Sequence, residues 1–348
     1  MQIHDALAQL VAQRSLGEQG AESIFEQMLT GSLDDAQIGA LLGMIQARGP
    51  SVDELVGAAR VMRRHVEPVP TPQDPARPVI DTCGTGGAPK TFNVSTAAAL
   101  VVAGARPEPG AGVERVLVAK HGNRSRTGRG SAEVLQTLGV NVDASPEVQG
   151  RCLEEAGVCF CFAIHHHPAA RHAVPVRRSL GVPTMFNLLG PLTNPANAPR
   201  QLLGVWDRRF VDPLAQALLR LGAERAWVVH SDDGLDELSI TDRTHVGVVA
   251  DGSVSSQHVD PAPLGLACPS LDLLRASDVE HAARMIRDIV EGRPGPPTDM
   301  TLLSAGAALH VAGAAASLDS GVELARDSIA TGRASQALTD LARLSETG

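Results

Sequence analysis

The sequence predicts an α/β protein: a small all-helical domain joined to a large α/β domain with a central, mostly parallel sheet flanked by helices. Three observations carry that expectation. Residues 1–66 keep helical apolar spacing and show no strand pattern. Residues 67–78 contain five prolines, which make a stiff, extended connector. Beyond it, apolar runs of strand length alternate with helical patterns, the pattern of parallel strands joined by crossover helices. The predicted domains are residues 1–70 and 76–348.

The elements follow in order. Leu7, Leu10 and Val11 share one helix face, as do Ile24, Phe25 and Met28. Gly31 ends the second helix. Ser32-Leu33-Asp34-Asp35 and Ser51-Val52-Asp53-Glu54 have the form of capping boxes and open a third and a fourth helix. Pro78-Val79-Ile80 reads as the first buried strand, and Ala97 to Ala103 as a packed helix. Residues 105–112 form a surface excursion. Val116–Ala119 reads as the second strand, Val134–Leu138 as a helix, and Val140-Asn141-Val142 as a third strand. Cys159–Ala163, Leu202–Trp206 and Ala226–His230 read as further strands, with a helix over Val211–Leu221 and an apolar, Gly/Pro-punctuated loop over Phe186–Pro195. Residues 245–260 read as a short β excursion. Residues 276–291, 299–317 and 319–345 read as closing helices, the second of them apolar enough to be buried.

Composition excludes several classes of function. The net charge of −9 and the scarcity of aromatics (six Phe, two Trp, no Tyr) argue against a nucleic-acid surface, which needs basic charge and stacking platforms. The N-terminus lacks a basic flank and an apolar core, so no signal peptide is expected. No apolar run is long enough for a membrane span. Five cysteines without a framework spacing predict buried, reduced thiols and a cytoplasmic protein.

The chemistry concentrates in loops. Asp81-Thr82-Cys83-Gly84-Thr85-Gly86-Gly87 leads from a strand through a glycine-rich turn to a helix start, which offers unpaired N–H groups to an anion. Ser95 and Thr96 carry hydroxyls there that suit a cap, a phosphate or a metal. Lys120 to Arg129 holds three Arg and one Lys among glycines and hydroxyls, a composition suited to a phosphate clamp. Asp232, Asp233, Asp236 and Glu237 place four carboxylates in six residues after a strand, poised for a hard cation. Arg177 is a candidate for holding a carboxylate bidentately. Each loop alone also fits a bland alternative: a strand–helix connector, a solvated basic loop, a solvated acidic turn. The run His165-His166-His167 invites a zinc reading, but adjacent residues point in different directions, and a polar cleft edge fits better. Together, two phosphate-type loops, an acidic turn and an arginine-bearing helix suit a metal-bound, pyrophosphate-bearing sugar beside a small anionic acceptor.

At this point the sequence resembles the anthranilate phosphoribosyltransferases of tryptophan biosynthesis over nearly its whole length. The resemblance rests on D-x-x-G-T-G-G…T-F-N-V-S-T at 81–96, K-H-G-N-R-S at 120–125 and G-S-A-E at 130–133. It continues with H-P-A…V-R-R-S-L-G at 167–181, F-N-L-L-G-P-L-T-N-P at 186–195 and D-G-L-D-E-L-S at 233–239. It implies a helical domain completed by helices near 167–182, a homodimer formed through that domain, and a cleft binding phosphoribosyl pyrophosphate (PRPP), Mg2+ and anthranilate. It implies PRPP contacts from Gly84, Gly87, Thr91, Asn93, Val94, Ser95 and Thr96. It implies a clamp made by Lys120, His121, Gly122, Asn123, Arg124, Ser125, Arg126, Thr127 and Gly128, with Ser131 beneath. Gly84, Asn123 and Arg177 are then the anthranilate contacts, and Ser95, Asp236 and Glu237 the metal contacts. Lys120 and the metal stabilise the transition state, and no protein nucleophile is needed. His121 is a possible proton acceptor, with a structural role the better fit. The chain departs from the family pattern at Ala88, where Asp is usual, at Ile164, in a shortened Arg126–Arg129 segment and in an insertion over 106–114. Arg126 and Arg129 are the candidates to replace the missing hydroxyl contacts. The alternatives are a paralogue with another acceptor and an inactive nucleic-acid-binding paralogue, which would have lost the metal carboxylates.

Overall fold

Capping and apolar spacing set the N-terminal helices. The structure, a computed structural model, describes residues 1–89, 91–125 and 128–346. The chain opens with α1 (Ile3–Val11), α2 (Gly17–Leu29), α3 (Asp35–Arg48) and α4 (Val52–Arg64). Asp34 accepts the Gln37 N–H at 2.8 Å while the Gln37 side chain takes the Asp34 N–H. Ser51 and Glu54 repeat the arrangement at α4. Each box satisfies two donors that a helix start would otherwise leave unpaired. The proline segment that follows is pinned: Glu67 N–H donates to the His166 carbonyl at 2.9 Å, Val69 N–H to the Pro195 carbonyl at 3.1 Å.

The second part runs β1 (Val79–Gly84), α5 (Val94–Gly104), β2 (Leu117–Gly122), α6 (Ser131–Thr137), α7 (Pro146–Glu155), β3 (Val158–Phe162), α8 (Ala163–His166), α9 (Val174–Leu180), α10 (Phe186–Leu189), β4 (Arg200–Gly204), α11 (Val211–Arg220), β5 (Arg225–Ser231), β6 (Thr244–Ala250), β7 (Ser253–Val259), α12 (Val279–Val290), α13 (Pro296–Val311), α14 (Leu318–Ala330) and α15 (Arg333–Glu346). The strands form one sheet in the order β3-β2-β1-β4-β5-β6-β7. Strands β3 to β5 are mutually parallel, and β6 and β7 add antiparallel at one edge. All five parallel strands therefore deliver their C-terminal ends, and the loops that follow, to one edge of the sheet.

Side-chain alternation along the strands feeds two cores. Leu202, Trp227 and Val229 face α5, α13 and the other C-terminal helices. Leu203, Val205 and Val228 face α11 and join a core that continues into α1–α4, α9 and α10. The helical elements thus share an apolar core with one face of the sheet.

Three segments differ from the sequence expectation. Val140–Val142 is a loop between α6 and α7, not a strand: its two valines are buried, and Asn141 bonds Ser345 through both its N–H (2.9 Å) and its side chain (3.2 Å). A tie to the far end of the chain produces the alternation that imitates a strand. Residues 186–193 form α10 and a 3-10 turn rather than an open loop. Residues 244–259 are not an excursion but the hairpin that extends the sheet. All five cysteines are buried and free. Among the described residues no helix is long and apolar enough to cross a membrane.

Candidate active site

The acidic turn after β5 reaches β1 across β4. The Asp236 carbonyl packs so closely on Gly204 that a Cβ there would lie 1.6 Å from it, so any side chain at position 204 would expel the turn. Asp236 Oδ2 in turn lies 3.2 Å from where a Cβ on Gly84 would stand. This close approach places Asp236 and Glu237 over the ends of β1 and β4. Glu237, half-buried, accepts the Ser95 backbone N–H in the first turn of α5. Burial, and secondarily the neighbouring Asp236 carboxylate, raise the Glu237 pKa to about 8. Asp233 instead organises the turn, accepting from Leu235 N–H at 3.2 Å, Ser239 Oγ at 2.5 Å and the Thr241 hydroxyl.

Lys120 occupies the floor. It is 3% exposed and donates to the Thr82 carbonyl at 2.8 Å and Ser95 Oγ at 3.0 Å. Burial lowers its pKa, against the attraction of Asp81, Cys83 and Glu237. Asp81, fully buried on β1, accepts the His121 N–H at 3.0 Å and Gln201 Nε2 at 3.3 Å, and burial raises its pKa in spite of these bonds. Asn194 ties in the 186–195 segment by donating to the Ala119 carbonyl at 2.8 Å. The result is a hydrogen-bonded cation seated between a buried acid and the start of α5.

The loop after β2 forms the third side. Asn123 and Arg124 are exposed, and the Arg124 guanidinium lies 5.6 Å from the Phe162 ring centroid. Ser125 N–H donates to Glu133 Oε1 at 3.3 Å, and Ser131 Oγ points at the Asn123 carbonyl at 3.5 Å. Asn93 Nδ2 donates to the Arg129 carbonyl at 3.3 Å, linking this loop to α5. Behind it, His121 and His167 meet with Nε2 atoms 3.3 Å apart. On α9, Arg177 lies 4.8 Å from the Phe186 ring centroid, and burial lowers its pKa. Among the described residues it has no acidic partner.

Residues 76–335 match the a/b domain of a glycosyl transferase family, and residues 4–66 match that family's helical bundle domain. The anthranilate phosphoribosyltransferase of Rubrobacter xylanophilus is 46% identical over 346 residues, covering 99% of this chain and 97% of that protein. The chain belongs to the anthranilate phosphoribosyltransferase family. The enzyme of that name from Thioalkalivibrio sulfidiphilus is 44% identical, covering 98% of each chain. The crystal structure of the anthranilate phosphoribosyltransferase from Thermus thermophilus superposes with a TM-score of 0.89 at 38% identity, covering 99% of this chain and all of the other. The Saccharomyces cerevisiae enzyme in complex with PRPP and Mg shares the fold, with a TM-score of 0.87 at 22% identity and coverage of 99% and 98%.

The donor set of this chain fits a magnesium ion. Asp236 and Glu237 repel each other, and the Ser95 hydroxyl lies at the N-terminal turn whose N–H Glu237 accepts. Among the described residues no three His, Cys, Asp or Glu side chains converge as a self-sufficient metal cage. Magnesium asks for one or two carboxylates and takes its remaining oxygens from water and phosphate.

Gly84, Ser95, Lys120, Asp236 and Glu237 come together, with Asn93 and Asn123 on the adjoining loops and Ser131 opening α6. Gly87 and Thr91 lie on the glycine loop and just before α5, and the Thr91 hydroxyl donates to the Phe92 carbonyl at 3.0 Å. Arg126 and Thr127 lie outside the described residues. Three of the residues named from sequence have surroundings the sequence does not disclose. Thr96 Oγ1 is buried and without a hydrogen bond, and the Thr96 N–H donates to the Asn93 carbonyl at 3.0 Å. Val94 is fully buried, and its N–H donates to the Phe92 carbonyl at 3.0 Å. Arg129 does not reach toward a pyrophosphate but donates to the Ala276 carbonyl. The three histidines diverge: His165 to Asp143, His166 to Glu67 and Gln149, His167 to His121. The sequence does not disclose the buried floor of Asp81, Gln201 and Asn194, although Asp81 and Asn194 both stand in the motifs quoted above.

The histidine pair carries a pH prediction. Burial, then the facing His167, hold His121 well below its ordinary value. Burial lowers His167 to about 4. Above pH 6.5 these groups are neutral in both states and contribute no pH dependence. Below it the unfolded chain takes up protons that the native pair refuses, so native stability falls as pH drops from 6.5 toward 4. The steepest loss from His167 approaches about 1.4 kcal/mol per pH unit. Urea midpoints measured from pH 7.5 to 4.5 should fall less steeply for His167→Asn than for the parent. Parallel curves would exclude the pair as the source.

Proposed function

We propose that the chain transfers the phosphoribosyl group of PRPP to anthranilate, giving N-(5-phosphoribosyl)anthranilate and pyrophosphate, the second step of the tryptophan branch. One observation carries the reading. A buried lysine, a helix N-terminus and an adjacent pair of carboxylates converge at one sheet edge, in a chain whose Arg177 has no acidic partner among the described residues. The cleft lies between a helical unit, residues 1–70 with the helices near 167–182, and the α/β unit, residues 76–348.

In this reading the bond from the ribose anomeric carbon to the pyrophosphate oxygen breaks, and a bond to the anthranilate nitrogen forms with inversion. Positive charge builds on the sugar and negative charge on the departing pyrophosphate. Gly84 and Gly87 would bring backbone N–H donors to the phosphates, and the positive end of the α5 dipole adds attraction. Lys120 supplies fixed positive charge from a dry floor, where it acts more strongly than in water. Ser95, Asp236 and Glu237 would hold Mg2+, which when bound neutralises charge on the leaving group. Asn123 and Arg177 orient the anthranilate amine and carboxylate, and orientation matters for a weak nucleophile. No side chain stands out as a dedicated general base. The reading includes a homodimer joined through α1–α4, supported by Val11, 68% exposed on α1, and a cytoplasmic location, supported by the buried free thiols.

Anthranilate fluorescence should fall when enzyme, PRPP and Mg2+ are combined, and remain when any one is left out. Absence of turnover, with salt-sensitive binding of nucleic acid, would overturn the reading. Arg177→Gln should raise the anthranilate KM roughly ten- to a hundredfold while leaving the PRPP KM nearly unchanged. Equal effects on both constants would remove Arg177 from the acceptor site.

A further inference from the structure

The glycine loop is built onto the end of β4. Thr85 N–H and Oγ1 both donate to the Gly204 carbonyl, at 2.9 and 3.3 Å. Trp206 N–H returns a bond to Thr85 Oγ1 at 3.2 Å. Beyond Thr85 the chain crosses the base of the Trp206 side chain. Gly87 has φ +104°, and a Cβ there would lie 3.5 Å from Trp206 Cβ and Cγ. The dihedral alone would strain a residue with a side chain there, and the 3.5 Å spacing is ordinary van der Waals contact with the base of the indole. Phe210 backs the indole, with ring centroids 5.1 Å apart. Val205 N–H donates to the Val229 carbonyl at 2.9 Å, so the segment bearing the indole continues the sheet. Among the described residues, Gly86, Gly87 and Ala88 make no hydrogen bond to the rest of the chain.

We infer that Trp206 is a positioning residue for PRPP: its side chain is the platform that fixes where the Gly86 and Gly87 N–H groups meet the pyrophosphate. This rests on the function proposed above. The loop has no carboxylate of its own to anchor it, since residue 88 is alanine, and packing on an aromatic ring takes over that task. Backbone donors bind a pyrophosphate tightly only when they are already in place, and a ring held by the sheet and by Phe210 provides that order.

The test uses the full-length chain. Wild-type turnover of PRPP and anthranilate is measured first, because its absence strikes the functional reading rather than this one. Trp206→Ala should then raise the PRPP KM roughly tenfold, with the anthranilate KM and kcat nearly unchanged, and Trp206→Phe should recover most of the loss. The chain has two tryptophans, so Trp227→Phe leaves Trp206 as the sole indole reporter. Its emission should change on adding PRPP with Mg2+ and saturate near the PRPP KM. An unchanged PRPP KM in Trp206→Ala, or an emission in Trp227→Phe that ignores PRPP, overturns the inference. Should Trp206→Ala fail to fold, the Trp206→Phe constants and the Trp227→Phe emission decide. The emission response also judges the placement of Trp206 if the acceptor proves to be something other than anthranilate.

Discussion

Glu237→Gln is expected to lower kcat/KM for PRPP by roughly two to three orders of magnitude while leaving the chain folded. The site electrostatics give the reason. Glu237 sits half-buried beside Asp236, and its carboxylate is held by the Ser95 N–H at the start of α5. Burial and the adjacent acid disfavour its charge. Such a pair costs the fold stability, and a divalent cation relieves that cost. A glutamine keeps the shape and can still accept from Ser95, but it brings no charge to a metal. Melting temperature separates the two roles. Added Mg2+ with PRPP should raise the wild-type melting temperature by binding the native state alone. The same addition should shift Glu237→Gln far less. A variant that kept full turnover, or shifted as far as the parent, would remove Glu237 from the metal site.

The fold was largely legible because its signals are local. The Ser51–Glu54 capping box, the apolar runs that became β1, β2, β3, β4 and β5, and the proline segment each announce themselves within a few residues. The misread pieces depend on distant partners. Val140 and Val142 are buried around an Asn141 that bonds Ser345, and nothing near residue 141 discloses that partner. Strand β7 is mostly exposed, so it lacks the apolar run that marks a strand, and only its pairing with β6 defines it. The site divides in the same way. Loops at strand ends can be found from glycine, charge and hydroxyl content. Composition alone does not tell which carboxylates of the acidic turn face the cleft, because Asp233 and Asp236 differ only in what the folded turn does with them; the family resemblance is what singles out Asp236 and Glu237. Thr96 shows the limit most clearly: next to Ser95 in the same motif, it turns into the core because helical spacing sends adjacent residues to different faces.

The buried lysine yields the second large effect. Lys120→Met keeps the volume of the side chain and removes its charge, and kcat/KM for PRPP should fall by roughly two to three orders of magnitude. Stability should fall as well, because a buried acid loses the nearby positive charge that favours its ionised form. That acid is Asp81, whose pKa is already raised by burial even with Lys120 present. Without the cation it rises further, so the variant is least stable at high pH. It regains stability as pH falls through the native Asp81 pKa, where the neutral acid needs no counter-charge. Asp81→Asn should therefore rescue the stability of Lys120→Met. The asparagine accepts the His121 N–H as the carboxylate does, and Gln201 and Asn194 stay in place around it. Turnover should not return, because the positive charge beside Ser95 is still missing. A double-mutant cycle scored once by urea midpoint and once by kcat/KM should give strong coupling in the first and little in the second. Equal recovery of both would make Lys120 a structural counter-ion to Asp81 and leave pyrophosphate departure to other groups.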